Sequence, residues 1–97
     1  MTSIDEIVNV NEIVLILFGS ESCPPCHVIW QKLQEMELSD KVYISVDEHP
    51  RLAAQAGVLS VPTIHLYVNG KIAWKKSGTF GLNEVINRIK RLQNIIK

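Results

Sequence analysis

The chain has 97 residues, 46% of them hydrophobic, and its ten Lys and Arg are balanced by ten Asp and Glu. That length suits a single domain around one core, which should bury about 60–65% of the surface its unfolded chain exposes. Zero net charge without a basic stripe argues against nucleic acid or a membrane surface as partner. Arg88, Lys90, Arg91 and Lys97, the nearest thing to a basic face, read as the wet side of a helix.

Taken in order, the chain opens on an acidic stretch, Met1 to Glu6, that does not read as a signal peptide. A short helix is expected from Ser3 to about Val8, capped by Thr2 or Ser3, with Asp5 and Glu6 in its first turn. Ile13 to Phe18 is continuously apolar and partly β-branched, as a strand covered on both faces would be. This longest apolar run is far too short to span a membrane. After Gly19 and Ser20, the prolines Pro24 and Pro25 open a helix at positions where a missing amide costs little, with Ile29, Leu33 and Met36 as its apolar stripe. Val42 to Val46 reads as a second buried strand. Asp47 or Glu48 is the expected cap of a short helix from Pro50 to Ala56, closed by Gly57.

Thr63 to Val68, the turn Asn69-Gly70, and Lys71 to Ser77 form a hairpin, since Asn-Gly favours the two-residue turn that matches strand twist. Val85, Ile89, Leu92 and Ile96 mark the stripe of a closing amphipathic helix. The order is therefore helix, strand, helix, strand, helix, strand, strand, helix. It predicts a three-layer α/β fold: a mixed four-stranded sheet with helices on both faces, its first two strands parallel through a right-handed crossover.

The only two cysteines, Cys23 and Cys26, fall at the carboxyl end of the first strand and the amino end of the crossover helix. Cysteines three apart in a first helical turn lie close enough for their sulfurs to bridge. Helix-terminal amides and the positive dipole end favour a thiolate, which makes Cys23 the expected nucleophile and Cys26 the more buried resolving thiol. Pro24 and Pro25 fix their own φ angles and so pre-organise ring closure, and they leave the Cys26 amide as the nearby donor for Cys23. A cytoplasmic location is the default expectation, and thiols there are kept reduced, so redox chemistry outweighs a permanent staple or half a zinc site. A ligand set of Cys23, Cys26, His49 and His65 would need positions far apart in this topology, so no metal site and no cofactor are expected. His65 alternates with Thr63 and Tyr67 and reads as a packed, hydrogen-bonded residue; Trp30 and Trp74 read as packing.

On these residues the chain resembles the thioredoxin family from about Ile4 onward. Three separated features carry the likeness: the apolar strand leading to Cys23-Pro24-Pro25-Cys26, the segment Gly57-Val58-Leu59-Ser60-Val61-Pro62-Thr63, and Asn69-Gly70 followed by a strand ending at Ser77-Gly78. The resemblance implies a cis Val61-Pro62 bond facing the cysteines, a Val61 backbone that meets an extended substrate, and room for that substrate at Gly78. It implies a dithiol-disulfide oxidoreductase acting on protein disulfides, recycled by an NADPH-dependent flavoprotein reductase or another thiol donor.

The departures from the family carry expectations of their own. Ser22 stands where the family has tryptophan, and Pro24 follows the first cysteine where glycine is usual. The family's buried aspartate falls at Leu17 and its lysine partner at Tyr43, leaving Glu21 and His27 as candidates for proton transfer. Without a buried carboxylate, Cys23 should be more acidic, the protein less reducing than an ordinary thioredoxin, and resolution slower. Two alternatives stand beside this reading. One is a glutaredoxin-type, glutathione-linked enzyme, favoured by Pro24 but lacking a Gly-Gly-x-x-Asp-like segment after Val68. The other is a non-enzymatic dimer holding a metal or cluster through Cys23.

Overall fold

The computed structural model describes residues 3–10, 12–36, 40–78 and 82–96, except for the side chains at 82, 93, 95 and 96. Thr2 as an alternative cap, the side chain of Ile96 and the whole of Lys97 thus lie outside the described residues. Eight elements follow one another: α1 (Ile4–Val8), β1 (Ile13–Gly19), α2 (Pro24–Gln34), β2 (Lys41–Ser45), α3 (Pro50–Gln55), β3 (Thr63–Val68), β4 (Lys71–Ser77) and α4 (Leu82–Ile96). The strands form one sheet in the order β2-β1-β3-β4. β1 runs parallel to β2, while β1/β3 and β3/β4 are antiparallel.

β1 is central and apolar on both faces because each face meets a helix layer. Leu15 and Leu17 point to one side, where Leu33 of α2 and Val85 and Ile89 of α4 join Ile64 and Leu66. Val14, Ile16 and Phe18 point to the other, against Val8 of α1, Leu52 of α3, Ile44 and Tyr67. Each of these large side chains stabilises the fold by roughly 1.5–3 kcal/mol when fully buried. Strand periodicity thus distributes one run of six apolar residues between two cores.

Local chemistry fixes the element ends. The Ser3 hydroxyl accepts from the Glu6 amide and caps α1. In the hairpin, Asn69 and Gly70 both adopt positive φ, 52° and 80°, the conformation that an Asn-Gly turn between twisted strands requires. The far end of α2 is capped from outside: Lys41 Nζ donates to the carbonyls of Leu33, Gln34 and Met36 at 3.2, 3.4 and 3.0 Å. They lie at and just past the carboxyl end of the helix, where a cation also complements the negative dipole end.

The start of α3 corrects the sequence reading. Its N-cap is His49 rather than Asp47 or Glu48, and no side chain caps it. The preceding turn is held instead by Ser45, whose carbonyl accepts from the His49 amide and whose hydroxyl accepts from the Glu48 amide. That turn sets Asp47 and Glu48 before the helix, and Pro50 begins it. His65 is 3% exposed and bonded through Nδ1 to the Tyr67 hydroxyl at 3.2 Å, in keeping with its reading as a packed residue. Trp30 and Trp74 both pack against the Leu17 core, and the Arg88 guanidinium lies over the Trp74 ring.

Candidate active site

β1 delivers the chain to the helix that holds both cysteines. Cys23 is the N-cap of α2, and Pro24 and Pro25 occupy the first helical positions, where no intrahelical amide is needed. Cys23 and Cys26 are joined by a disulfide with their Cα atoms 5.3 Å apart. The Cys26 amide points at Cys23 Sγ, 3.3 Å away. Cys23 is 9% exposed and Cys26 fully buried, so solvent reaches only the first sulfur's residue. An N-cap position, a helix dipole and an amide aimed at the sulfur together favour a thiolate at Cys23 over one at Cys26.

The other candidates gather around this turn to different degrees. The Val61-Pro62 peptide bond is cis. Phe18 pairs with Thr63 in the β1/β3 register, so Pro62 continues β3 alongside Gly19, at the end of the sheet where β1 turns toward Cys23. The Gly78 amide donates to the Pro62 carbonyl at 3.1 Å, and Gly78 has φ of 80°. Gly78 has open space at its Cα, so its left-handed backbone, rather than crowding, favours glycine. Beside the same turn lies a groove of about 450 Å³ bounded by Leu59, Ser60, Thr63 and Ser77. Leu59 itself is 99% exposed.

Glu21 and His27 flank the disulfide by way of the backbone. His27 Nε2 lies 3.1 Å from the Glu21 carbonyl. A carbonyl only accepts, so this nitrogen carries a proton committed to the loop. Leu17 is fully buried within the apolar cluster, with no carboxylate in that position.

Tyr43 has a larger place in the site than its sequence position suggested. Its hydroxyl donates to the Ser20 carbonyl at 3.0 Å, and its ring stacks with His27 and meets Trp30 edge-on. A side chain on Gly19 would overlap the Tyr43 hydroxyl, with its Cβ 2.7 Å from Tyr43 Cζ and 2.9 Å from Cys26 Cβ. The tyrosine and Cys26 therefore close on Gly19 from one side. Burial, with the Glu21 and Asp47 carboxylates, holds the Tyr43 phenol above its ordinary range, so it remains a proton donor at neutral pH. The parallel register, which sets Tyr43 beside Leu17, is what brings it here. Among the described residues no group of three or more His, Cys, Asp or Glu could hold a metal.

A disulfide at a strand-helix junction of this mixed sheet is one half of the evidence, and comparison with known proteins is the other. The sequence profile of thioredoxin matches residues 2–91. The chain belongs to the thioredoxin family. A thioredoxin of Rickettsia prowazekii is 32% identical over 83 residues, spanning 80% of this chain and 79% of that protein. A mutant thioredoxin from Halobacterium salinarum superposes with a TM-score of 0.78 at 28% identity, covering 90% of this chain and 80% of that one. Thioredoxin 1 from Thermosipho africanus gives a TM-score of 0.78 at 28% identity, covering 84% and 94%. As a family member with a paired-cysteine centre, the chain is a thiol-disulfide oxidoreductase, acting on disulfide substrates and reduced in turn by a reductase or thiol donor.

Proposed function

We propose that Cys23 is the attacking thiol and Cys26 the resolving thiol of a protein-disulfide reductase. The observation that carries this is the asymmetry of the pair: Cys23 is the N-cap with an amide on its sulfur, and Cys26 is sealed beneath it. The Cys23 thiolate attacks one sulfur of a substrate disulfide, forming a mixed disulfide and releasing the first substrate sulfur as thiolate. Cys26, on losing its proton, attacks Cys23 Sγ; the Cys23–Cys26 disulfide forms and the second substrate sulfur leaves. The dithiol gives up two electrons and the substrate disulfide takes them. A thiol donor, or an NADPH-dependent flavoprotein reductase, returns the pair to the dithiol.

In this reading Pro24 and Pro25 hold the ring-closing geometry, the Val61 backbone meets an extended substrate strand, Pro62 faces the sulfurs, and Gly78 leaves the far side open. The substrate face has Ser22 in place of an aromatic ring, and the exposed Leu59, three residues before Pro62, adds apolar surface to the loop that carries the proline. Glu21 and His27 are the candidates to accept the Cys26 proton, with His27 Nε2 already engaged by the loop. The expected location is the cytoplasm, where thiols are kept reduced and a close cysteine pair is available for exchange.

Parallel assays of insulin reduction and of a glutathionylated peptide, each with and without glutathione, test the reading. The expected result is insulin reduction supported by a dithiol donor with little activity on the glutathionylated peptide. The reverse preference would assign the protein to the glutathione-linked class, and a coloured or metal-bearing preparation lacking both activities would move it to cluster binding.

A further inference from the structure

The loop between β1 and α2 is held at two successive carbonyls by two rings that stack on each other. The Tyr43 hydroxyl donates to the Ser20 carbonyl at 3.0 Å, and His27 Nε2 donates to the Glu21 carbonyl at 3.1 Å. The rings lie nearly parallel, at 11°, with centroids 6.1 Å apart, so each anchor steadies the other. The Ser20 carbonyl also accepts from the Cys23 amide at 3.3 Å. One carbonyl thus links the tyrosine hydroxyl to the backbone of Cys23. Trp30 closes the cluster edge-on from the next turn of α2.

We propose that Tyr43 and His27 clamp this loop and so hold Cys23 at the start of α2, where the Cys26 amide reaches its sulfur. The inference rests on the reading of Cys23 as the attacking thiol, and it makes Tyr43 a positioning residue. It acts through the Ser20 carbonyl, with its hydroxyl on the side of Gly19 that Cys26 also lines. Its phenol stays protonated and so keeps donating, faced by the Glu21 and Asp47 carboxylates. With the clamp released, Cys23 leaves the N-cap geometry more often, and its thiolate loses part of the stabilisation from the helix terminus. A less stable thiolate means a less stable dithiol, which shifts the exchange equilibrium toward the disulfide.

The test is the pH profile of Cys23 alkylation in reduced protein, with the equilibrium against the glutathione couple measured alongside. Tyr43→Phe keeps the ring and deletes only the hydroxyl. We expect its alkylation midpoint to rise about half a unit, and the equilibrium to shift about threefold toward the disulfide, ~15 mV by the two-electron constant. His27→Ala, at an exposed position outside the core, should shift both in the same direction; His27→Gln, which keeps an N–H for the Glu21 carbonyl, should recover part of the shift. Wild-type midpoints and equilibria in both Tyr43→Phe and His27→Ala overturn the proposal. If Tyr43→Phe does not fold, His27→Ala alone decides it in the same way. The midpoint is read without a substrate, so failure of the wild-type protein to reduce insulin would strike the reductase reading and not the clamp.

Discussion

Gly19 shows how little space the site leaves at its base. Its Cα faces the Tyr43 hydroxyl, and any added Cβ would come within 2.9 Å of Cys26 Cβ, closer than carbon atoms approach without displacement. Gly19→Ala must therefore push the tyrosine or α2 outward, costing about 1–3 kcal/mol in denaturant unfolding. Unchanged stability would mean that the Tyr43 ring yields freely. His65 makes a prediction about pH. Burial first, and then the Lys75 charge, lower its pKa from 6.5 to about 4, so it is neutral in the folded chain at pH 7. A folded pKa depressed below the unfolded one means that the unfolded chain binds the proton more readily. The corresponding stability is thus present above about pH 6.5 and lost progressively as pH falls toward 4, by at most about 3 kcal/mol. Unfolding free energies measured across that interval should decline in the wild type and decline less in His65→Gln. Equal slopes in the two proteins would remove His65 as the cause.

At the scale of elements, α2 has two ends with different tasks. Its amino end holds the cysteines and carries the dipole and the amides that act on Cys23. Its carboxyl end is tied down by Lys41, whose ammonium lies across three carbonyls and complements the negative dipole end. Lys41→Met keeps a long apolar stem and removes the charge and its bonds. It should cost about 1–2 kcal/mol of stability while leaving the alkylation midpoint of Cys23 at its wild-type value. A shifted midpoint would show that the cap governs the geometry of the whole helix and not only its end. β1 has a related division. Its alternation feeds two cores while its last residue, Gly19, turns the chain toward the site, so the strand that stabilises the fold also aims the chemistry.

For the molecule as a whole, the parts that were legible in the sequence are those set by local rules. The Asn69-Gly70 turn, the doubly buried β1, the proline-led start of α2 and the packed His65 each follow from periodicity or backbone preference within a few residues. The cap of α3 is not legible locally because Ser45, a strand residue, makes the turn through its own hydroxyl and carbonyl, while Asp47 and Glu48 offer nearer acidic cap candidates by sequence. Tyr43 was legible only as a substitution in the family pattern. Its contact with the Ser20 carbonyl depends on the parallel register of β1 and β2 across a crossover, which no local signal specifies. The apolar setting of Leu17 bears on the whole reaction as well. With leucine at the position where the family has its buried aspartate, the potential should lie above the roughly −270 mV of an ordinary thioredoxin, and an equal or lower value would contradict that expectation. The central claim, that Cys23 attacks and Cys26 resolves, is tested most directly by incubating Cys26→Ser and Cys23→Ser separately with a disulfide-bonded protein and mapping the products by mass spectrometry. The account predicts a stable mixed disulfide through Cys23 in Cys26→Ser and little adduct in Cys23→Ser; equal capture through Cys26 in Cys23→Ser, or none through Cys23, would contradict it.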